Sequence, residues 1–254
     1  MKKIVAIVQA RLSSKRLSNK VLMDLSGRTV VGQVFNQLSF SKLINDVVLA
    51  TSLDKSDDPL ENWANENNQK FYRGDLNNVL KRFYDTAKKF NADIIVRITA
   101  DCPLIDPEVV DSVVKGYLEG DYDYFTNTNP PTFPDGLDTE VFSFSTLKKT
   151  YEEAKLQSEI EHVTPYIKNH NRKFRIGNYV SEINYEHYRW TLDNDEDYKF
   201  ISEVYKRLHK KGPFIKWNDV INLLETDEKL VNINSHISRN LGFAKSLNED
   251  KKIK

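Results

Sequence analysis

The chain opens on a continuous apolar run, Ile4-Val5-Ala6-Ile7-Val8. An unbroken run of this length suits a strand covered on both faces, not one with a wet side. Val47-Val48-Leu49-Ala50 and Ile94-Ile95-Val96 repeat the pattern, and Lys70-Phe71-Tyr72 is a shorter version. Between these runs the apolar residues return at helical spacing. Val30, Val31, Val34, Phe35 and Leu38 mark one helix, and Asp58 to Asn67 a second, with Pro59 suited to its first turn. Leu76, Val79, Leu80, Phe83, Tyr84 and Ala87 mark a third. Val109, Val110, Val113, Val114 and Tyr117 mark a fourth, with Pro107 near its start. Strand–helix alternation of this kind predicts an α/β fold in three layers, a mostly parallel mixed sheet with helices on both faces.

The second half is less regular. The pattern predicts strands at 122–126 and 140–144 around a Pro- and Asn-rich loop, then helices near 145–156 and 159–170. Further strands are expected near 173–180 and 187–192, a helix from Asp195 to His209, and a short one around 217–225. With no repeat and no low-complexity linker, residues 1–244 read as a single domain. Residues 245–254 read as a polar, flexible tail.

Composition narrows the function by exclusion. The 254 residues carry 37 Lys and Arg against 37 Asp and Glu. Zero net charge argues against a protein that coats nucleic acid or an anionic membrane. No apolar run approaches the ~20 residues of a membrane span. A single cysteine, Cys102, excludes an internal disulfide and an all-Cys zinc site. No two glycines are spaced Gly-x-Gly, and no two histidines His-x-x-x-His, so the dinucleotide fingerprint and the commonest zinc-hydrolase signature are both missing. A cytoplasmic protein is the expectation.

The charge is locally uneven. Residues 1–20 hold Lys2, Lys3, Arg11, Lys15, Arg16 and Lys20 and no acid, whereas acids cluster at Asp135, Asp138 and Glu140 and at Asp193, Asp195, Glu196 and Asp197. In open α/β sheets ligands bind beyond the carboxyl ends of parallel strands, so the loops after the first and fourth strands are the first places to look. The former, Gln9 to Lys20, combines small residues with cations that grip phosphate oxygens. The latter holds Asp101, a hard oxygen ligand suited to magnesium. A lone loop aspartate is more often a turn or cap residue, and the basic loop opposite is what raises its standing.

The motif Ala10-Arg11-x-x-Ser14-x-Arg16-Leu17-x-x-Lys20 resembles the signature of cytidylyltransferases that activate acidic sugars. That family includes the synthetases of CMP-3-deoxy-manno-octulosonate and CMP-acylneuraminate. Arg97-Ile98-Thr99-Ala100-Asp101-Cys102-Pro103-Leu104-Ile105-Asp106-Pro107 and Pro134-Asp135-Gly136-Leu137-Asp138-Thr139-Glu140-Val141-Phe142 are similar to its spore-coat polysaccharide biosynthesis branch, the SpsF-like proteins. So are Glu161-His162-Val163-Thr164-Pro165-Tyr166 and Arg189-Trp190-Thr191-Leu192-Asp193-Asn194-Asp195-Glu196-Asp197-Tyr198. The likeness runs in consistent order over residues 3–243, with one departure: Ser18 stands where the family usually has proline.

The resemblance implies a nucleotide-diphospho-sugar transferase (Rossmann-like) fold and a magnesium-dependent nucleotidyltransferase that uses CTP and releases pyrophosphate. It places Ala10, Arg11, Ser13, Ser14, Arg16, Lys20, Thr51, Arg73, Ala100 and Asp101 around the nucleotide. Arg11, Arg16, Lys20 and Asp101 would carry catalysis, and Asp101 and Asp193 would hold Mg2+. Asp138, Glu140, Glu161, His162 and Arg189 are its candidates for a small sugar acceptor, and related synthetases form homodimers. The residues themselves offer blander readings. Asp193 can be a helix cap, Arg73-Gly74-Asp75 a salt-bridged turn, His162 a hydrogen-bonded core histidine, and Cys102 a packing residue beside Asp101. Two other functions remain open: a glycosyltransferase using Asp193-Asn194-Asp195 as a metal motif, and a non-catalytic nucleotide-binding protein.

Overall fold

The computed structural model describes residues 2–13, 16–239 and 241–253. Ser14 and Lys15 of the basic loop lie outside the described residues. Four strands, β1 (Ile4–Gln9), β2 (Asp46–Ser52), β3 (Lys70–Gly74) and β4 (Ile94–Thr99), are mutually parallel. Three more, β5 (Tyr124–Thr126), β6 (Glu140–Ser143) and β7 (Ile176–Asn178), extend the sheet to the order β3-β2-β1-β4-β6-β5-β7. β6 runs antiparallel to both β4 and β5. The chain moves outward from β1 to β3, then returns to place β4 on the other side of β1. Ligands bind at such a reversal.

The apolar alternation predicts which face each residue serves. Ile4, Ala6 and Val8 pack on one face against α1 (Val30–Leu38), α2 (Asp58–Glu66) and α4 (Pro107–Glu119). Val5 and Ile7 pack on the other, against α3 (Val79–Lys89), α5 (Phe144–Glu153), α6 (Gln157–His162) and α7 (Pro165–Asn169). A third cluster joins Leu25, Phe133, Leu137 and Trp190 to α8 (Asp195–Leu208), α9 (Trp217–Thr226) and α10 (Glu228–Val231).

Two expected elements differ. The helix expected over 159–170 is split into α6 and α7 by Val163, at φ 71°, followed by Thr164 and Pro165. Proline has no amide with which to continue the helix, and the break turns the Thr164 hydroxyl onto Glu140 at 2.7 Å. The strand expected at 187–192 forms a single bridge, Asp135 to Arg189. Its backbone is stitched instead to two loops. Asp135 N donates to Tyr188 O at 2.9 Å, Trp190 N to Asp135 O at 2.6 Å, and Leu192 N to Asp101 O at 2.8 Å. Gly136, at φ 122°, lets the loop approach Trp190 this closely, since a Cβ there would lie 2.7 Å from the Trp190 carbonyl carbon. This connector delivers Arg189 and Asp193 to the sheet edge.

The segment from 245, expected to be a flexible tail, lies against α6. It carries the end of α11 (Leu241–Asn248), and Gln157 N donates to Lys251 O at 2.9 Å. Among the described residues no helix is long and apolar enough to cross a membrane.

Candidate active site

Register explains why two distant aspartates meet. Gln9 pairs with both Ala50 of β2 and Thr99 of β4, so the loops after β1 and β4 leave the sheet side by side. Ala100 N donates to Gln9 O at 3.0 Å and continues the ladder into the second loop. Ala10 and Ala100 are buried where the two loops diverge, while Ser13 is exposed. The basic loop is fastened from beneath by a residue the sequence reading overlooked. Asp57, fully buried, accepts from Leu12 N at 2.7 Å and from the Ser52 hydroxyl at 2.5 Å. Asn19, in the left-handed region at φ 55°, then turns the chain so that Lys20 points inward.

Lys20 is the meeting point. Its Nζ donates to Asp101 Oδ2 at 2.6 Å, to Asp193 Oδ1 at 2.6 Å and to Leu192 O at 2.7 Å. Arg16 reaches the other oxygen of Asp193 at 2.8 Å. Burial works against the Lys20 charge, and the two carboxylates outweigh it, leaving its pKa raised. Asp193 is also resisted by burial, yet Lys20 and Arg16 hold it down at about 2. Asp193 does not cap α8. Asn194 is the cap residue, and Asp197 in the first turn accepts from the Asp193 and Asn194 amides at 2.9 and 3.2 Å. Capping by the neighbours frees the Asp193 carboxylate to face the cations.

The other nucleotide candidates are dispersed. Arg11 is paired with Glu161 at 3.3 Å. Thr51 is fully buried, with its hydroxyl on Asp57 at 3.1 Å. Arg73 is gripped by Glu61 and Asp58 and donates to Ser52 O at 2.7 Å and Asp54 O at 2.9 Å, while Asp75 accepts from the Asn77 and Asn78 amides at 2.8 Å, so the cation is committed outside its own turn. Arg82, which sequence reasoning missed, is fully buried on α3 beneath this region. Its Nη1 donates to Asp75 O at 2.9 Å, while Nε and Nη2 have no partner. Burial first, and Arg11 second, bring its pKa down to about 10. A lone cation on the apolar face of Val79, Leu80 and Phe83 was the available signal.

Beside Asp101 and Asp193 opens a cavity of about 480 Å3, lined also by Arg97, Asp138, Glu140, His162, Lys168 and Arg189. Four of the five acceptor candidates therefore line one cavity, and Glu161 lies outside its lining. Glu140 is a hub. It pairs with Arg97 and with Lys168 at 2.8 Å, and accepts from the Tyr124 and Thr164 hydroxyls. Burial opposes its ionisation, but Lys168 and Arg97 hold it well below the usual carboxylate range. Arg189 is committed too. Its Nε and Nη2 grip Asp197 at 2.8 and 2.9 Å, and Nη1 reaches Asp135 at 3.3 Å. Asp193 lies 3.6 Å from Nη2 as well, so the guanidinium that sequence reasoning offered to a substrate carboxylate is held by three protein carboxylates. His162 Nε2 has no partner, and burial, with Arg97 and Arg11 nearby, lowers its pKa to about 4. Cys102 packs 3.8 Å from Asp101 Oδ1, and burial pushes its thiol up, away from nucleophilic use.

Asp135, beside this cluster, is raised to about 7 by burial and by Asp138, against the pull of Arg239 and Arg189. The unfolded chain releases this proton near pH 4 while the folded chain keeps it to about pH 7, so stability falls as pH rises between those values. Thermal melts should show Tm declining from pH 4 to 7, and Asp135→Asn should flatten that decline. An unchanged slope would refute the assignment.

Cations and carboxylates gathered at the switch point of this sheet give the architecture of a nucleotidyltransferase. The chain matches the model of the Cytidylyltransferase family over residues 5–230 and belongs to that family. It is 30% identical over 231 residues to the spore coat polysaccharide biosynthesis protein SpsF of Bacillus subtilis, covering 88% of this chain and 95% of that one. A cytidylyltransferase structure from Leptospira borgpetersenii serovar Hardjo-bovis aligns at TM-score 0.86 and 33% identity, over 91% of this chain and 97% of that one. The structure of CMP:2-keto-3-deoxy-manno-octonic acid synthetase complexed with CTP aligns at TM-score 0.62 and 15% identity, over 81% and 99%, a likeness of fold.

Proposed function

We propose that this protein transfers the cytidylyl group of CTP to an acidic or otherwise unusual sugar, releasing pyrophosphate, for surface polysaccharide synthesis. The observation that carries this is the single point at which Lys20 bonds both Asp101 and Asp193. Membership of the family and the CTP named in a structure of the same fold support the choice of nucleotide.

Among the described residues no cluster of three or more His, Cys, Asp or Glu could hold a metal. Two carboxylates converging on one cation do fit magnesium, which takes one or two protein carboxylates and completes its shell with substrate phosphates and water. Asp101 and Asp193 would hold it, and it would supply charge neutralisation at the phosphates. Lys20 and Arg16 would then turn to the triphosphate oxygens, and Arg11 would exchange Glu161 for phosphate. Arg82 adds donors beneath the loop for the nucleotide's oxygens. An acceptor oxygen in the cavity, either already ionised or a hydroxyl that gives its proton to water, attacks the α-phosphorus; the bond to the bridging oxygen breaks, and pyrophosphate leaves with its charge met by these cations. No side chain forms a covalent bond, so alignment and electrostatics supply the acceleration.

Pyrophosphate release should require CTP and Mg2+ and should be far faster with the acceptor than with water as the only nucleophile. Release of a nucleoside diphosphate from a nucleotide sugar would favour the glycosyltransferase instead. Tight CTP binding without turnover against a broad acceptor panel would favour the binding protein.

A further inference from the structure

The family match ends at residue 230, yet two side chains beyond it line the cavity: Arg239 and Phe243. Both are held by residues inside the matched region. Arg239 Nη1 donates to Phe133 O at 3.2 Å, and Nη2 pairs with Asp138. Its Nε lies 3.9 Å from Asp135 and has no hydrogen-bond partner, although the side chain is only 17% exposed. Phe243 stands edge-on to His162, ring centroids 5.0 Å apart at 81°, and the His162 Nε2 beside it is also unpartnered.

The stretch carrying them is pinned on both sides. Upstream, Asn234 Nδ2 donates to Arg189 O and Asp197 Oδ1, each at 3.0 Å. Downstream, Asp250 accepts from the Ser158 amide at 3.0 Å and its hydroxyl at 2.6 Å, and Ile253 N donates to Lys155 O at 2.9 Å. Between these anchors, Arg239 and Phe243 form part of the cavity wall. A donor withdrawn from water without a partner is unfavourable, and a ligand oxygen relieves it.

We propose that Arg239 and Phe243 are specificity-determining residues for the acceptor. Arg239 presents Nε to an acceptor oxygen, and Phe243 sets the room beside His162 and keeps bulk water from the reacting phosphate. The inference rests on the cavity being the acceptor site. Because both residues stand outside the basic loop, they tune acceptor choice without altering the nucleotide loop.

The test compares the intact chain with Arg239→Gln, Arg239→Lys and Phe243→Ala. Three quantities are read: Mg·CTP affinity by calorimetry, pyrophosphate release with water as the only nucleophile, and release with 2-keto-3-deoxy-manno-octonic acid or N-acetylneuraminate as probes. Mg·CTP affinity should stay within about twofold in every variant, because neither side chain reaches the loop. Phe243→Ala should raise the water reaction about fivefold or more by admitting solvent. It should also shift the kcat/KM ratio of the two probes by about tenfold. Arg239→Gln should raise the KM of the better probe about tenfold with little change in kcat. Arg239→Lys keeps the ion pair with Asp138 but lacks Nε, so the same loss there marks recognition, whereas full rescue means a structural ion pair and overturns the role. Variants that match the intact chain in the water reaction and in probe ratio overturn the proposal, as do variants that lose CTP affinity in step. If neither probe is used, the water reaction decides. An intact chain that binds no Mg·CTP overturns the function proposed above, and this inference with it.

Discussion

Asp101→Asn should lower CTP-dependent pyrophosphate release by about 10^2–10^3-fold, the loss seen when one preorganised charge is removed from a reacting phosphate or oxyanion site. The substitution keeps the shape and an oxygen for Lys20 to bond, and Lys20 retains Asp193 and Leu192 O in any case. The melting temperature should therefore move little while turnover collapses. Asp193→Asn should behave alike. Asp195→Asn is the control, because that side chain is exposed in the first turn of α8, two positions from Asp193. Undiminished activity in Asp101→Asn, or an equal loss in Asp195→Asn, would remove the basis for placing the triphosphate here.

The second large effect falls on stability. Arg189→Met keeps the aliphatic part of the side chain and removes the charge that neutralises Asp197, whose side chain is 0% exposed. Breaking a buried pair from one side costs about 3–5 kcal/mol, because an uncompensated charge is left inside. In a chain of this size that corresponds to a Tm lower by roughly 6–20 °C. Adding Asp197→Leu should restore part of it, since it removes the stranded Asp197 charge but leaves Asp135 without Arg189 and the Asp193 and Asn194 amides without their acceptor. A double variant as unstable as the single one would show that Arg189 acts through packing alone.

Elements with strong apolar periodicity were legible in the sequence, and those held by long-range pairing were not. Ile4 to Val8 announces a buried strand because local alternation and burial agree there. The connector at 187–192 reads as a strand by composition, but its partners are loops 54 and 91 positions away, Asp135 for Arg189 and Asp101 for Leu192. The convergence of Asp101 and Asp193 on Lys20 was anticipated through the family motif, and no local signal in the chain would have supplied it. Arg97 and Lys168 gained a role only once Glu140 was seen between them. Asp57 was missed because an aspartate near a helix start reads as a cap, whereas this one is spent on the Leu12 amide and the Thr51 and Ser52 hydroxyls. Arg73 shows the converse. Its motif invites a ligand, and its guanidinium is already taken.

The 173 positions separating Lys20 from Asp193 have a bearing on biosynthesis. On the ribosome the lysine emerges 173 positions ahead of its second counter-charge. Until Asp193 has followed, the nascent cations of the loop stand without their full complement of acids. Contacts this distant in sequence also form slowly. Closure of the charged centre is thus expected only after the whole span from Lys20 to Asp193 has left the exit tunnel.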